Sequence, residues 1–307
     1  MAGSIWPATG TTPGQDPNAV YALGSSPAES ARLQRQADEL ALDSRDLLDR
    51  VGLRPGLAVI DLGCGPRGIL DLLTGRVAPG GRVVGLDADP AHTAMAAEFA
   101  ARRGLSGVQI MTADARSTGL AAGSFDLVHA RTLLVNVPDP ADVAAEMVRL
   151  TRSGGWVASM EPDTEHARCH PPHPAFDRLC DIFTAAFRRN GADPWIGRRV
   201  AEFFRQAGLD DVRVEARVQM YSPGNSRRTI RPDLVRAMRP QVLEMGLASA
   251  AELDELDAAA RAHLEDPHTV VISGLLYLTW GRKPDHKQHH FLLASQAAPH
   301  TTRPDTG

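Results

Sequence analysis

Apolar residues recur at helical spacing between Ser26 and Val51, with Glu, Arg and Gln between them. They are Leu33, Ala37, Leu40, Leu47 and Val51. A stripe of this kind is typical of a helix that buries one face against a core. We therefore predict one amphipathic helix ahead of the main fold.

Short apolar runs then alternate with helical patterns. The runs predict strands at Ala58–Leu62, Arg82–Asp87, Val108–Thr112, Phe125–Ala130 and Trp156–Glu161. Helices are expected near 67–77, 91–103 and 139–152, and Gly154-Gly155 predicts the end of the last one. Alternation of this kind indicates a doubly wound parallel sheet.

The remaining pattern predicts helices near 175–190 and 197–207. Apolar and polar residues then alternate from Val212 to Met220, as in an antiparallel strand with one wet face, and Thr269–Trp280 is its expected partner. Residues of roughly 230–265 between them are typical of two helices, interpreted as a lid over a substrate. The expected fold is α/β, with a Rossmann-like, doubly wound seven-stranded sheet: five parallel strands plus an antiparallel C-terminal pair, an N-terminal helix and a helical lid insertion.

Composition narrows the classes of partner. The 307 residues carry a formal net charge of -4 and no block of Lys and Arg, which argues against nucleic acid as a partner. No apolar run is long enough to span a bilayer and the start lacks a leader pattern, so a cytoplasmic location without a membrane partner is expected. Cys64, Cys169 and Cys180 lack paired spacing and are interpreted as reduced thiols.

The first predicted strand leads into Gly63-Cys64-Gly65-Pro66-Arg67-Gly68, a complete G-x-G-x-x-G at a strand-to-helix turn. Glycines there let the backbone approach a nucleotide, and the same pattern serves NAD, FAD and S-adenosylmethionine. Asp87 ends the second strand, where a carboxylate can accept hydrogen bonds from ribose hydroxyls. These two features leave the choice between the nucleotide classes open.

Two further aspartates distinguish those classes. Asp61 stands just before the glycines, where an anion would repel a pyrophosphate but would suit an amino group or a sulfonium. Asp114 follows the third strand, where its carboxylate can accept from an adenine amino group while the Ala115 amide meets a ring nitrogen. Each aspartate alone is equally typical of a turn or a helix cap. The set of three at successive strand ends favours a cationic nucleoside ligand.

These motifs resemble those of class I S-adenosylmethionine-dependent methyltransferases, over roughly residues 55–161. The segments that carry the resemblance are Asp61 to Gly65, Gly85 to Asp87, Asp114-Ala115, Phe125 to Val128 and Ser153 to Trp156. His129 to Arg131, Val137 to Pro140 and Glu161 to Asp163 are closest to the ubiquinone- and menaquinone-methylase-like branch, which includes bacterial natural-product methyltransferases. Asn136 departs from that branch, which often has His there.

The resemblance implies S-adenosyl-L-methionine as cofactor and a set of residues that hold it. Those residues are Tyr21, Asp61, Gly63, Cys64, Gly65, Asp87, Ala88, Asp114, Ala115, Ala130 and Arg131. Tyr21 would reach the cofactor carboxylate from a segment that also contains Arg32 and Gln36. The implied division is a disordered arm (1–18), a helical cap over the cofactor (19–51), the cofactor-binding core (52–165), acceptor-binding helices and lid with the last two strands (166–283), and a disordered tail (284–307).

Candidate catalytic residues cluster after the fifth strand, at the ligand-binding edge of such a sheet. They are Glu161, His166, His170 and His173, to which Tyr21 is added. Each histidine is also typical of a stiff, Pro-rich loop, and convergent metal ligands are hard to arrange on such a backbone, so no metal is expected. Phe183, Trp195, Tyr221 and Tyr277 either line an acceptor pocket or belong to the core.

The expected function is methyl transfer to a hydrophobic small molecule, in bacterial secondary metabolism. The accepting atom stays open between oxygen, nitrogen and carbon, and carbon methylation of a terpenoid or indole acceptor would permit coupled ring closure. Two alternatives remain at this point: an NAD(P)-dependent oxidoreductase, and a protein that binds S-adenosylmethionine without catalysis. A homo-oligomer formed through the N-terminal helix is also expected.

Overall fold

Two helices precede the sheet in the computed structural model, which describes Leu23 and residues 27–285. They are α1 (Pro27–Glu39) and α2 (Ala41–Val51), so the prediction of one continuous helix is wrong. The chain turns at Leu40, which lies outside helical geometry at φ -97° and ψ 8°. The turn separates two environments: α2 packs on the central sheet, while α1 lies over the cavity described below.

Five parallel strands form the first part of the sheet, as predicted. They are β1 (Ala58–Leu62), β2 (Arg82–Asp87), β3 (Val108–Thr112), β4 (Phe125–Arg131) and β5 (Thr151–Asp163). Helices α3 (Leu70–Val77), α4 (Pro90–Arg102) and α5 (Pro140–Leu150) connect them. Successive residues of β1, such as Val59 and Ile60, enter apolar clusters on opposite faces of the sheet. This is why the strand is apolar on both faces.

The Gly154-Gly155 pair does not end a helix, contrary to the prediction. α5 ends at Leu150 and β5 begins at once with Thr151, whose hydroxyl donates to the Met147 carbonyl and closes the last turn. Gly154 has φ +70° and lies where the register of β4 against β5 shifts. The glycines therefore form an irregularity inside a strand, which periodicity alone cannot distinguish from a helix end.

The seven-stranded sheet has the order β3-β2-β1-β4-β5-β10-β7, with β7 (Asp210–Arg217) at the edge and β10 (Leu275–Arg282) inside it. β10 is antiparallel to both neighbours, so β7 runs in the same direction as the first five strands. The α/β class and the antiparallel C-terminal pair are thus confirmed. The strand order reverses between β1 and β4, and ligands bind outside the carboxyl ends of strands at such a point.

Apolar and polar residues alternate from Val212 to Met220 as predicted. Most of the apolar side chains, however, lie on the exposed face rather than the buried one. Val214, Val218 and Met220 are exposed by 41%, 57% and 74%. The polar row instead meets α2, where Arg50 Nε donates to Glu215 Oε1 at 2.7 Å and Arg217 pairs with Asp46 at 3.2 Å. After Val212, which packs against the core, the apolar row faces outward because the helix that covers this strand presents charges.

The last strands and the lid are more divided than the sequence predicts. A small sheet joins β6 (Arg168–His170), β8 (Met220–Tyr221) and β9 (Val270–Ile272), so the expected Thr269–Trp280 strand is split between β9 and β10. The other helices are α6 (Pro174–Arg189), α7 (Val200–Gln206), α8 (Ile230–Ala237), α9 (Arg239–Glu244) and α10 (Ala250–Glu265).

The predicted pair of lid helices at 230–265 is therefore wrong, since three are found there. Pro240 lies in the first turn of α9 and separates it from α8, and Gly246, at φ +62°, follows α9.

In the described part of the chain, no helix combines the length and the apolar character that crossing a membrane requires.

Candidate active site

A cavity of about 400 Å³ lies at the carboxyl ends of the parallel strands. The strands contribute the glycine loop after β1, the end of β2 and the ends of β4 and β5. α1 closes one side, and α6, α8 and the turn between β9 and β10 close another. The cavity is thus undivided, with one half against the glycine loop and the other among helices.

The glycine loop owes its shape to left-handed residues. Gly65 and Gly68 have φ of +56° and +55°, a region that side chains rarely adopt. A Cβ built on Gly68 would lie 2.3 Å from Asp61 Oδ2, so the turn also needs the space. Gly63 and Gly65 line the cavity, whereas Cys64 is buried beside it.

Asp61 is used inside the protein. Its Oδ1 lies 2.7 Å from His129 Nδ1, on the neighbouring strand β4, and its Oδ2 accepts from the Ile69 amide at 3.1 Å. The side chain is 2% exposed and does not line the cavity. The predicted contact of Asp61 with a ligand is therefore replaced by a role in holding the glycine loop to β4.

Asp87 does face the cavity, at the end of β2. Its Oδ2 accepts from the Gly65 amide at 2.8 Å and its Oδ1 from the Asp89 amide at 3.0 Å. Buried His92 lies beside it, with Nδ1 3.6 Å from Asp87 Oδ1. The Asp87 carboxylate raises the pKa of His92 and outweighs the opposing effect of burial.

His92 was missed by the sequence analysis. It lines the cavity, and its Nε2 is buried without a hydrogen-bond partner among the described residues. The available signal is its position in the first turn of the helix after Asp87.

Asp114 and Ala115 line the same half of the cavity. Arg116 holds the Asp114 carboxylate from one side, with Nη2 donating to Oδ2 at 2.7 Å, and also reaches Asp139 at 3.2 Å. Arg116 Nε and the Arg116 amide also donate to this carboxylate, at 3.0 and 2.9 Å. A carboxylate has about four acceptor positions, so these donors leave about one position for a further donor. Ala88 also lines the cavity.

Arg131 lines the cavity from the end of β4, while Ala130 before it is fully buried. The Arg131 guanidinium donates to Ser44 Oγ at 3.1 Å and to the Gly68 carbonyl at 3.4 Å. Burial lowers the pKa of Arg131. On α1, Arg32 and Gln36 line the cavity too, whereas Tyr21 lies outside the described residues.

Glu161 is fully buried and does not line the cavity. Its carboxylate accepts from the amides of Leu133, Leu134 and Val135 at 2.9, 3.0 and 3.2 Å, and so holds the start of the short 3-10 helix Leu134–Asn136. Burial raises the pKa of Glu161 to about 7 against the opposing effect of these amides. The geometry gives it a positioning role.

The three predicted histidines do not meet at the cavity. His166 and His170 are exposed, and His173 caps α6 by accepting from the Ala175 amide at 3.2 Å. The His173 ring stacks on His263 at 4.7 Å. None of the three lines the cavity, although Ala167 of the same segment does, and the sequence position next to β5 does not reveal this.

Asp163, Glu165 and His166 have ligand atoms close enough together to hold a metal ion. Arg198, however, forms ion pairs with both carboxylates. Its guanidinium supplies the positive charge that such a group of acids requires.

The half of the cavity away from the glycine loop is aromatic and cationic. Phe183 and Phe187 pack with their rings 4.3 Å apart, and Tyr221 and Leu234 complete an apolar wall. Trp195 and Tyr277, the other aromatic candidates, are not part of this wall. The arginines of the cavity are Arg32, Arg131, Arg217, Arg227, Arg228 and Arg231.

The half that contains the glycine loop suits a nucleoside. Asp87 and Asp114 offer acceptors to hydroxyl and amino groups, Leu86 and Leu133 are apolar, and the unpartnered His92 Nε2 leaves a buried polar atom for a ligand to satisfy. Fold and site together define an α/β protein that binds a nucleoside next to an apolar pocket.

Comparisons with known proteins identify the class. Residues 60–159 match the family described as a methyltransferase domain. Nocamycin O-methyltransferase of Saccharothrix syringae is 43% identical over 120 residues, 39% of this chain and 42% of that protein. Demethylmenaquinone methyltransferase of Halalkalibacterium halodurans is 28% identical, over 56% of this chain and 75% of that protein. The chain spans less than half the length of the first of these relatives.

Among solved structures, the YcgJ protein of Bacillus subtilis has a similar fold, with a TM-score of 0.53 at 15% identity over 78% of this chain and 97% of that one. This shared fold agrees with the family match over residues 60–159. The predicted resemblance to class I methyltransferases is therefore confirmed, and so is S-adenosylmethionine as the cofactor.

Proposed function

We propose that this protein transfers the methyl group of S-adenosylmethionine to an apolar small molecule bound between α6 and α8. The observation that carries the proposal is the undivided cavity, in which the glycine loop and Asp87 share one space with Phe183 and Leu234. Two reactants bound side by side in one cavity are aligned for reaction, and alignment together with exclusion of water supplies most of the acceleration of a displacement reaction.

The protein's own groups divide the work on the cofactor. Asp87 would accept from ribose hydroxyls, Asp114 and the Ala115 amide would hold the adenine, and Arg131 or Arg32 would meet the carboxylate of the methionine end. When bound, S-adenosylmethionine supplies an electrophilic methyl group on a sulfonium. α1 would cover this end of the cavity.

Among the described residues, none of those that the sequence suggested is assigned to proton removal, and Tyr21 lies outside them. Glu161 and the three histidines lie off the cavity, Asp163 is paired with Arg198, and the Tyr221 hydroxyl accepts from Arg227 Nε at 3.0 Å. This arrangement favours an acceptor that is already nucleophilic, or one that ionises without help. The natural-product relative supports a secondary metabolite as the acceptor.

The test of the nucleoside half is calorimetric titration with S-adenosylhomocysteine and, separately, NADH. We expect S-adenosylhomocysteine to bind and NADH not to bind. Asp87→Ala should weaken the binding by 100-fold or more, since about 3 kcal/mol is a typical loss for charged hydrogen bonds in a buried site.

Asp254→Ala is the matched control, because it removes an aspartate whose side chain is 70% exposed and paired with Arg239. Its affinity for S-adenosylhomocysteine should equal that of the wild type. Preference for NADH would refute the cofactor roles of Asp87 and Asp114. A protein that binds S-adenosylmethionine but forms no S-adenosylhomocysteine with any aromatic or terpenoid acceptor would be a binding protein rather than an enzyme.

A further inference from the structure

Arg231, in the first turn of α8, is a buried arginine in the wall of the acceptor half. It is 6% exposed, and its Nε and Nη1 have no hydrogen-bond partner among the described residues. Nη2 reaches the Thr164 carbonyl at 3.5 Å, a long contact. Two of its three nitrogens are thus buried without an acceptor.

Neighbouring arginines of the cavity differ from Arg231 in this respect. Arg228 donates to the carbonyls of Tyr221, Leu264, Asp266 and Thr269 at 2.7 to 3.0 Å. Arg227 pairs with Glu39 at 2.7 Å and donates to the Tyr221 hydroxyl. These two hold parts of the fold together, whereas the contacts of Arg231 leave its charge uncompensated.

The surroundings of Arg231 supply little compensation. Burial lowers its pKa, and the opposing influence comes from the Cys180 thiol, a weak acceptor whose own pKa is raised by burial. Its Cζ lies 4.1 Å from the centre of the Phe183 ring, a cation–π contact. A buried charge without a carboxylate partner is costly, and proteins retain such groups where a ligand completes them.

We propose that Arg231 binds a carboxylate of the acceptor, so that the substrate is an apolar, aromatic or polycyclic acid. The proposal rests on the function proposed above. A carboxylate matches the planar donor geometry of a guanidinium, and the ring of the acid would lie along Phe183 and Phe187. The class of substrate is thereby narrowed from hydrophobic molecules to hydrophobic anions.

The first experiment compares 2-naphthoate with 2-naphthamide, which has the same shape without the charge. Each is titrated into the protein with and without saturating S-adenosylhomocysteine. We expect the wild type to favour the acid at least tenfold. Arg231→Met should abolish this preference by weakening the acid alone, and Arg231→Lys should keep part of it.

Arg236→Met is the matched control, on the same helix but 59% exposed and paired with Asp257. It should retain the preference of the wild type. Equal affinity for acid and amide in the wild type, no binding of the acid, or a preference that survives in Arg231→Met would overturn the proposal. S-adenosylhomocysteine binding in the same samples tests the proposed function separately, because it does not depend on Arg231.

A second experiment needs no acceptor. Because Arg231 has no carboxylate partner and only one long hydrogen bond among the described residues, Arg231→Met should unfold at the same temperature as the wild type or higher. Arg228→Met removes an arginine with four carbonyl partners and should unfold at a clearly lower temperature. An equal loss in both variants would show that Arg231 is structural and would overturn the proposal.

Discussion

Asp61 and Asp87 end neighbouring strands and look alike in the sequence, yet they do different work. The oxygens of Asp61 are occupied by His129 and the Ile69 amide, while Asp87 faces the cavity. His129 is 68 residues from Asp61, so no local sequence pattern predicts the contact between the two side chains. Strand ends can be located from periodicity, but the direction of a carboxylate depends on partners that only the folded sheet brings near.

Glu161 gives a test of pH dependence at this scale. Its pKa is about 7 in the folded protein against an ordinary 4.5, so the folded state holds a proton that the unfolded state releases. The resulting stability is fully present below pH 4.5 and is lost as the pH rises through 7. Over this window the wild type should lose about 3 kcal/mol relative to Glu161→Gln.

Urea unfolding of both proteins between pH 4.5 and pH 8 measures this difference. The variant keeps one acceptor oxygen for the amides and cannot ionise, so all other titrating groups cancel in the comparison. Parallel curves for the two proteins would contradict the assignment of a raised pKa to Glu161.

Whole elements were predicted best among the first parallel strands of the sheet, two of which, β1 and β2, are largely buried. β1, β2 and β3 begin and end as predicted, because glycine or a polar residue lies at or near each end, and β3 does so although it is half-exposed. Two predictions were wrong because a partner element decides the outcome: the unbroken helix across Leu40 and the late start of β5. In β7 the charges of α2 reverse the usual rule for which face is wet.

The contact of α1 with Ser226 and Arg227, which precede α8, can be tested at the scale of elements. Glu39, the last residue of α1, pairs with Arg227 at 2.7 Å and accepts from Ser226 Oγ at 2.9 Å. Glu39→Gln should speed hydrogen exchange of α1 amides several-fold, since a partly buried ion pair of this kind contributes about 1 kcal/mol or less.

Hydrogen exchange by mass spectrometry resolves α1 from the rest of the chain. The comparison variant is Glu98→Gln, which breaks an exposed pair with Arg102 on α4. It should leave exchange in α1 unchanged. If Glu39→Gln also leaves it unchanged, the contact does not hold α1 in place.

For the molecule as a whole, the sequence predicted the cofactor half and left the acceptor half open. The matching family covers residues 60–159, whereas Phe183, Arg231 and Leu234 come from helices after it. A shared ligand leaves recognisable spacing in the chain, but an acceptor pocket built by distant helices does not. Arg231 can be recognised as a candidate ligand-binding residue only from the folded structure, which shows which of its nitrogens lack hydrogen-bond acceptors.

The shared cavity makes the charge of one ligand matter to the other. Sinefungin carries an ammonium near the place of the sulfonium, whereas S-adenosylhomocysteine is neutral there. We expect 2-naphthoate to bind the sinefungin-loaded protein about tenfold more tightly, an order-of-magnitude figure for two charges separated by several ångströms in a protein. The affinity of 2-naphthamide should not change. Equal affinities of the acid for both complexes would contradict a common electrostatic environment.

An undivided cavity also imposes reciprocity on its two occupants. Whatever factor a cationic donor adds to the affinity of an acidic acceptor, the acceptor must add to the affinity of the donor. The spent donor has lost its charge and gains nothing from this coupling. With the acidic acceptor that we propose, binding of the acid would favour fresh S-adenosylmethionine over S-adenosylhomocysteine. The substrate would then drive replacement of the spent cofactor and relieve product inhibition.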